Sequence, residues 1–353
     1  MTRARKVSYA LIPTGAVFII WLDMGPVLLA GLFSYMIMNL THRQFFIWHF
    51  RRSLQADAAD RESGKIVPFQ ARMAAAGMRL LSVAIFLVLA ALLSWMFGMF
   101  MRLALLRVPV ILATAIPSLD RLLDSYGLDL PFDSLHNLRL LLILKMKENA
   151  SSVTQASGLL TRRFFQIFIG TFAAISCFWN SQSSEKRFDL LGAVSAELGA
   201  RISVFMFGFE KILSAQLLIS FINMWVTVVF LNTMGIPNIP FLALATFIFG
   251  VIPILGNLIS NTIIVATSLT VSPQTAVVAL LFLVVSHKAE YFLNSRIIGS
   301  RIDTPMWQIL LGLLVGEALM GVPGVILAPV ILHYVREEIR AIPLGELTRP
   351  AEG

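Results

Sequence analysis

A chain of 353 residues that is 57% hydrophobic and 14% charged cannot bury its apolar side chains in one soluble core. With a mean hydropathy of +0.80 and several apolar runs able to cross about 30 Å of hydrocarbon, the class is an all-α polytopic membrane protein. The net charge of +8 lies beside the apolar runs and not in one basic stripe, which marks cytoplasmic loops and headgroup contacts and argues against nucleic acid as a partner.

Residues 1–41 read as an N-terminal transmembrane hairpin. Arg3, Arg5 and Lys6 precede an apolar run from Val7 to Leu22, no small-x-small cleavage pattern follows, and Asp23-Met-Gly25-Pro26 turns the chain into a second apolar run ending at Leu40. The positive start places the N-terminus in the cytoplasm. Residues 42–79 are a basic cytoplasmic loop opening with His42, Arg43, His49, Arg51 and Arg52.

Residues 80–101 form a third span, flanked by Arg79 and Arg102. Residues 102–161 mix apolar and charged positions at helical spacing, which predicts an extracytoplasmic amphipathic helical region. Asp120, Asp124, Asp129 and Asp133 lie here, but their spacing is that of neither a calcium loop nor a zinc site. Cys177, the one cysteine, allows no intrachain disulfide or cysteine-cluster metal site and is expected as a small buried hydrophobe. No metal and no cofactor is expected.

Residues 162–335 carry the C-terminal transmembrane transport region. Phe164 to Trp179 is apolar but short, Phe188 to Arg201 is an amphipathic connector, and Ile212 to Leu231 is a clear span holding Gln216, Asn223 and Trp225. Two long apolar segments follow, each broken internally by Gly and Pro. Segment 241–270 is interrupted at Gly250, Pro253 and Gly256, and segment 306–335 at Gly321, Pro323 and Gly324. In lipid an interrupted backbone exposes N–H and C=O groups that cost several kcal/mol each. Such breaks therefore survive where they line a cavity, and paired breaks point to a permeation site. The first segment is compatible with one kinked helix or with two half-helices turning at Pro253 to Asn257. Residues 336–353 are a charged tail.

The last hundred residues resemble the AI-2E family of transporters, the group that includes the autoinducer-2 exporter. The resemblance rests on Gly235-Ile-Pro-Asn, on Gly250-Val-Ile-Pro253-Ile-Leu-Gly256, and on Glu290-Tyr-Phe-Leu-Asn294-Ser-Arg296-Ile-Ile-Gly299. It extends through Pro305 to Gly316-Glu-Ala-Leu-Met-Gly321-Val-Pro-Gly324-Val-Ile-Leu-Ala-Pro329. Two departures stand out: Ser295 where the family usually has Pro, and Glu317 at a position that is normally small. The resemblance implies about eight hydrophobic segments, a homo-oligomer in the bacterial cytoplasmic (inner) membrane, and export of a small polar solute. It also implies coupling to H+ or Na+, since family members are linked to autoinducer-2 efflux and to sodium/proton exchange.

An intramembrane ionisable group costs about 2.5–3.5 kcal/mol even on lenient insertion scales, so each needs a partner or a function. Glu317, between Gly316 and Gly321, is placed to bind a cation or relay a proton. Glu290 and Arg296 are candidates for an ion pair or a gate near a helix end. Asn257, Asn261 and Asn294 can donate and accept, which suits a polar, uncharged solute. The rival functions are a sodium/proton antiporter, a channel-like pore and an intramembrane enzyme. The enzyme is disfavoured: the chain has no His-Glu-x-x-His, and no nucleophile stands with a base. Eight simple spans would leave Arg296 and Arg301 outside, so two re-entrant segments fit the positive-inside tendency better.

Overall fold

The computed structural model describes residues 3–57, 68–125, 153–180, 190–252, 255–297 and 305–341. These residues form ten helices and no strand: α1 (Arg3–Trp21), α2 (Gly25–Asp57), α3 (Pro68–Ser125), α4 (Val153–Asn180), α5 (Leu190–Thr233), α6 (Ile239–Gly250), α7 (Leu255–Leu269), α8 (Pro273–Ile297), α9 (Met306–Met320) and α10 (Val322–Arg340). Pro253, Asp129, Asp133, Gly299, Arg301 and most of the charged tail lie outside the described residues.

Two helices contain uninterrupted apolar spans, Ala76–Leu119 and Leu190–Thr233, each of 44 residues. A third span is possible in length and composition only if Ala4–Trp21 and Gly25–Trp48, bent by 118° at the Asp23 turn, count as one. Among the described residues, two to three apolar stretches are long enough to cross a membrane, against the eight hydrophobic segments expected. The reason is visible in the late helices: α6 has 12 residues and α7 and α9 have 15 each, about 18–22 Å at 1.5 Å per residue. Breakers have divided apolar runs into half-helices shorter than the hydrocarbon layer. Conversely, α3 continues through Arg102, and the amphipathic connector before Arg201 runs directly into the following span as α5. Neither junction carries a breaker strong enough to stop a helix, although α3 includes Pro109 and Pro117.

The chain forms two compact units. Unit one comprises residues 1–94, 161–207 and 318–323. Its core joins Met38 of α2, Phe86 of α3, and Ala174 and Phe178 of α4. Small residues bring α2 and α4 together: a Cβ at Gly170 would overlap the Val27 carbonyl, and a Cβ at Gly31 would stand 3.3 Å from the Gly170 carbonyl. Ser34 and Thr171 share a hydroxyl contact of 3.3 Å at the same crossing. Because Ala174 and Phe178 take the inward positions of α4, Cys177 faces outward and is exposed, contrary to the expectation of burial.

Unit two comprises residues 95–160, 208–317 and 324–353. Its core gathers Phe100 and Ile111 of α3, Phe230 and Leu231 of α5, Phe241 and Leu242 of α6, Ile264 of α7, and Ala279 and Leu283 of α8. Phe100 stacks on Phe241 at 5.8 Å, and Phe230 stacks on Phe282 at 4.0 Å. Leu242 near the start of α6 and Ile264 late in α7 share this cluster, so the first broken segment folds back as a pair of half-helices instead of continuing as one kinked rod. Before it, Gly235 and Asn238 adopt left-handed φ of 64° and 65°, a region open to Gly and tolerated by Asn. That is the physical content of the Gly235-Ile-Pro-Asn motif.

Candidate functional site

The first interruption lies between Gly250, the last residue of α6, and Leu255, the first of α7. Ending a helix leaves carbonyls without intrahelical partners. One is answered within the backbone, where Ile252 N–H donates to the Phe249 carbonyl at 2.8 Å. Another is answered from α5: the Gln216 side-chain amide donates to the Gly250 carbonyl at 2.6 Å. Glycine is required at both edges. A Cβ at Gly250 would stand 2.9 Å from Ser220 Oγ, and one at Gly256 would overlap the Phe249 carbonyl.

Beside this break sits Glu290 of α8, half-buried. Asn257 Nδ2, in the first turn of α7, donates to Glu290 Oε1 at 2.9 Å and to Oε2 at 2.8 Å. Asn223 Nδ2 of α5 donates to Oε2 at 3.0 Å. Three helices thus converge on one carboxylate, and hydrogen bonds from two neutral amides hold its charge. Hydrogen bonds to an ionised acceptor are roughly twice as strong as neutral ones. The amides also carry carbonyl oxygens, so rotation about the last side-chain bond would turn this donor set into an oxygen cage around a cation.

The structure brings Glu290 and Asn257, both candidates from the sequence, into contact, and sets Asn223 on the same carboxylate and Gln216 on the neighbouring break. Gln216 and Asn223, polar positions in an otherwise apolar span, lie with Ser220 at i, i+4 and i+7, on one face of α5. That spacing was the available signal. Asn261 stands one turn beyond Asn257 on α7, half-buried. Asn294 and Arg296 belong to α8, but their side chains are outside the described set, so the proposed Glu290–Arg296 pair is not part of the observed geometry.

Glu317 is elsewhere. It is exposed on α9, in a stripe with Leu310 and Leu314, which are also exposed. The opposite face of α9 packs on α10: a Cβ at Gly312 would lie 2.8 Å from Leu332, and Gly316 abuts the Gly324 carbonyl. Leu313, Val325 and Ala328 form the small core of this pair. Gly321 turns the chain with φ 63°, the left-handed conformation typical just past a helix end. The turn, residues 318–323, belongs to unit one, where Gly25 of α2 meets Met320 and Pro323.

A second polar cluster in unit one had no forecast. Arg162 Nη2 and Arg163 Nη1 reach Asp23 Oδ2 at 3.4 and 3.2 Å, and Gln166 Nε2 donates to the Asp23 carbonyl at 2.7 Å. Among the described residues, no group of His, Cys, Asp and Glu has the arrangement of a metal site.

A helical chain with membrane-length apolar spans, broken half-helices and a carboxylate wired to polar side chains at one break belongs to the class of polytopic membrane transport proteins. The chain is a member of the AI-2E family transporters, whose family profile matches residues 68–343. That match covers the third span, both breaks and the connector between them. A comparison with curated proteins finds no match.

Proposed function

We propose that this protein is a secondary transporter that exports a small polar solute across the bacterial cytoplasmic membrane, with Glu290 as the group that binds the coupling H+ or Na+. The observation that carries the reading is the convergence of Asn223 and Asn257 on Glu290, with Asn257 in the first turn after the α6–α7 break. In this reading the solute path passes the α6–α7 break, where carbonyls and amides can replace water around a polar ligand. The density of cations before Val7 and after Leu40 supports a cytoplasmic N-terminus.

Sodium/proton exchange through the same carboxylate is the second reading. It is favoured by the set of one carboxylate and two side-chain amides gathered at Glu290, whose oxygens suit a hard cation. Glu317, exposed on α9, is assigned no coupling role.

The test is solute flux in everted vesicles with and without an imposed proton or sodium gradient. The native protein is expected to respond to one of the gradients. Glu290→Gln, which keeps side-chain shape and removes the charge, is expected to abolish that response. A gradient response that persists unchanged in Glu290→Gln would refute the assignment.

A further inference from the structure

The Asp23 cluster lies at one end of the α1–α2 turn and does not belong to the transport site. Asp23 adopts a left-handed φ of 53°, which carries its carboxylate towards α4. There it meets two adjacent guanidiniums, Arg162 at 3.4 Å and Arg163 at 3.2 Å, while Arg163 also donates to Gln166 Oε1 at 3.0 Å. Two cations share one anion, so the cluster retains a net charge of +1. Each guanidinium has five donors in a planar fork, more than one carboxylate can occupy. The side chains are 55% and 43% exposed, so part of each fork faces outward.

The neighbourhood is apolar and aromatic. Directly after Arg163, Phe164, Phe165 and Phe168 are each more than half exposed on α4. At the end of α1, Trp21 is 78% exposed and Phe18 is its ring neighbour at 6.4 Å. In a chain with membrane spans, exposed phenyl rings face acyl chains, and Trp prefers headgroup depth. A residual positive charge at that boundary stands at the level of lipid phosphates.

We propose that Arg162 and Arg163 form a binding site for the phosphate of an anionic phospholipid, with Asp23 as an internal competitor that weakens and orients it. Arg suits this role because its fork matches phosphate oxygens in a bidentate manner. Gln166, 9% exposed and bonded to the Asp23 carbonyl, fixes the position of the turn beneath the site. The lipid phosphate would be held on α4 by the two guanidiniums, in competition with the Asp23 carboxylate of the α1–α2 turn.

The experiment follows the thermal unfolding midpoint of the full chain in an uncharged detergent as phosphatidylglycerol, phosphatidylcholine or inorganic phosphate is added. The native protein should be stabilised more by phosphatidylglycerol than by phosphatidylcholine, and not by inorganic phosphate. Arg162→Gln/Arg163→Gln should lose the phosphatidylglycerol-specific part. Arg162→Gln alone, at the more exposed position, should lose roughly half of it and guards against a double variant that fails to fold. Asp23→Asn should keep or enlarge the shift, because Asn tolerates left-handed φ and the competing charge is gone. A purely structural latch predicts the reverse for Asp23→Asn. The proposal is overturned if phosphatidylglycerol has no specific effect, if its effect survives in the arginine variants, if Asp23→Asn loses it, or if inorganic phosphate reproduces it.

Discussion

The interruption between α6 and α7 leaves a Gly250 carbonyl that Gln216 takes at 2.6 Å, and it sets Asn257 on the Glu290 carboxylate. The interruption between α9 and α10 turns at Gly321 with φ 63° and places Met320 and Pro323 against Gly25. Both stretches look alike as sequence, apolar runs broken by Gly and Pro. Their surroundings differ in chemistry: polar side chains from α5, α7 and α8 gather at the first, while Met320 and Pro323 pack on Gly25 at the second. A break lined with amides and a carboxylate can bind a polar ligand or ion, whereas a break packed by methyl groups against a glycine is a joint. With Glu290 binding the coupling ion as proposed, transport chemistry belongs to the first break and the second is a packed joint.

That contrast can be broken at several points. Asn257→Ala removes both of its contacts to Glu290 and leaves a half-buried carboxylate short of donors. We expect a loss of about 2–3 kcal/mol in the site, seen as a drop of about 30-fold to 150-fold in gradient-driven flux, the factor that this energy implies. Asn261→Ala, one turn away, should change flux by less than about twofold. Gly256→Ala forces a methyl group into the Phe249 carbonyl, a backbone atom that cannot swing aside. It should destabilise the protein by about 1–3 kcal/mol in a denaturing-detergent titration, despite the helix preference of Ala. Gly25→Ala at the other break meets Met320 Cε at 3.2 Å and the Pro323 ring at 3.3 Å, side-chain atoms that can give by a few tenths of an ångström, and the cost there should stay within about 1 kcal/mol. Equal costs for the two glycines would remove the distinction between a rigid polar break and a yielding apolar one. The smallest effect is expected for Glu317→Gln, whose exposed side chain should leave the gradient dependence of flux unaltered.

Much of this architecture could be read from the sequence. Helical class, the spans around Leu80–Met101 and Ile212–Leu231, and both breaks follow from apolar run length and from Gly and Pro placement, which are local properties. The continuity of α3 through Arg102 and of α5 through Arg201 was less legible, because a charged residue suggests a boundary while the backbone needs a breaker to stop. For the site, Glu290 and Asn257 stood out as polar groups near a break. Asn223, the other donor to Glu290, and Gln216, which takes the Gly250 carbonyl, did not, since an amide in an apolar span looks the same whether it faces lipid, a neighbouring helix or a carboxylate 67 residues away. Glu317 shows the converse. Of the glycines that flank it, Gly316 admits the Gly324 carbonyl and Gly321 makes the left-handed turn, while the carboxylate itself is exposed. The Asp23–Arg162–Arg163 cluster was illegible because it joins positions about 140 residues apart.

The central claim is that Glu290 exchanges its amide hydrogen bonds for a bound cation. It is tested most directly by infrared difference spectroscopy of the carboxylate stretch in reconstituted protein, recorded as sodium is added or as pH is lowered. The account predicts a cation-dependent carboxylate band in the native protein that is missing in Glu290→Gln and retained in Glu317→Gln. Identical difference spectra for the native protein and Glu290→Gln would contradict it.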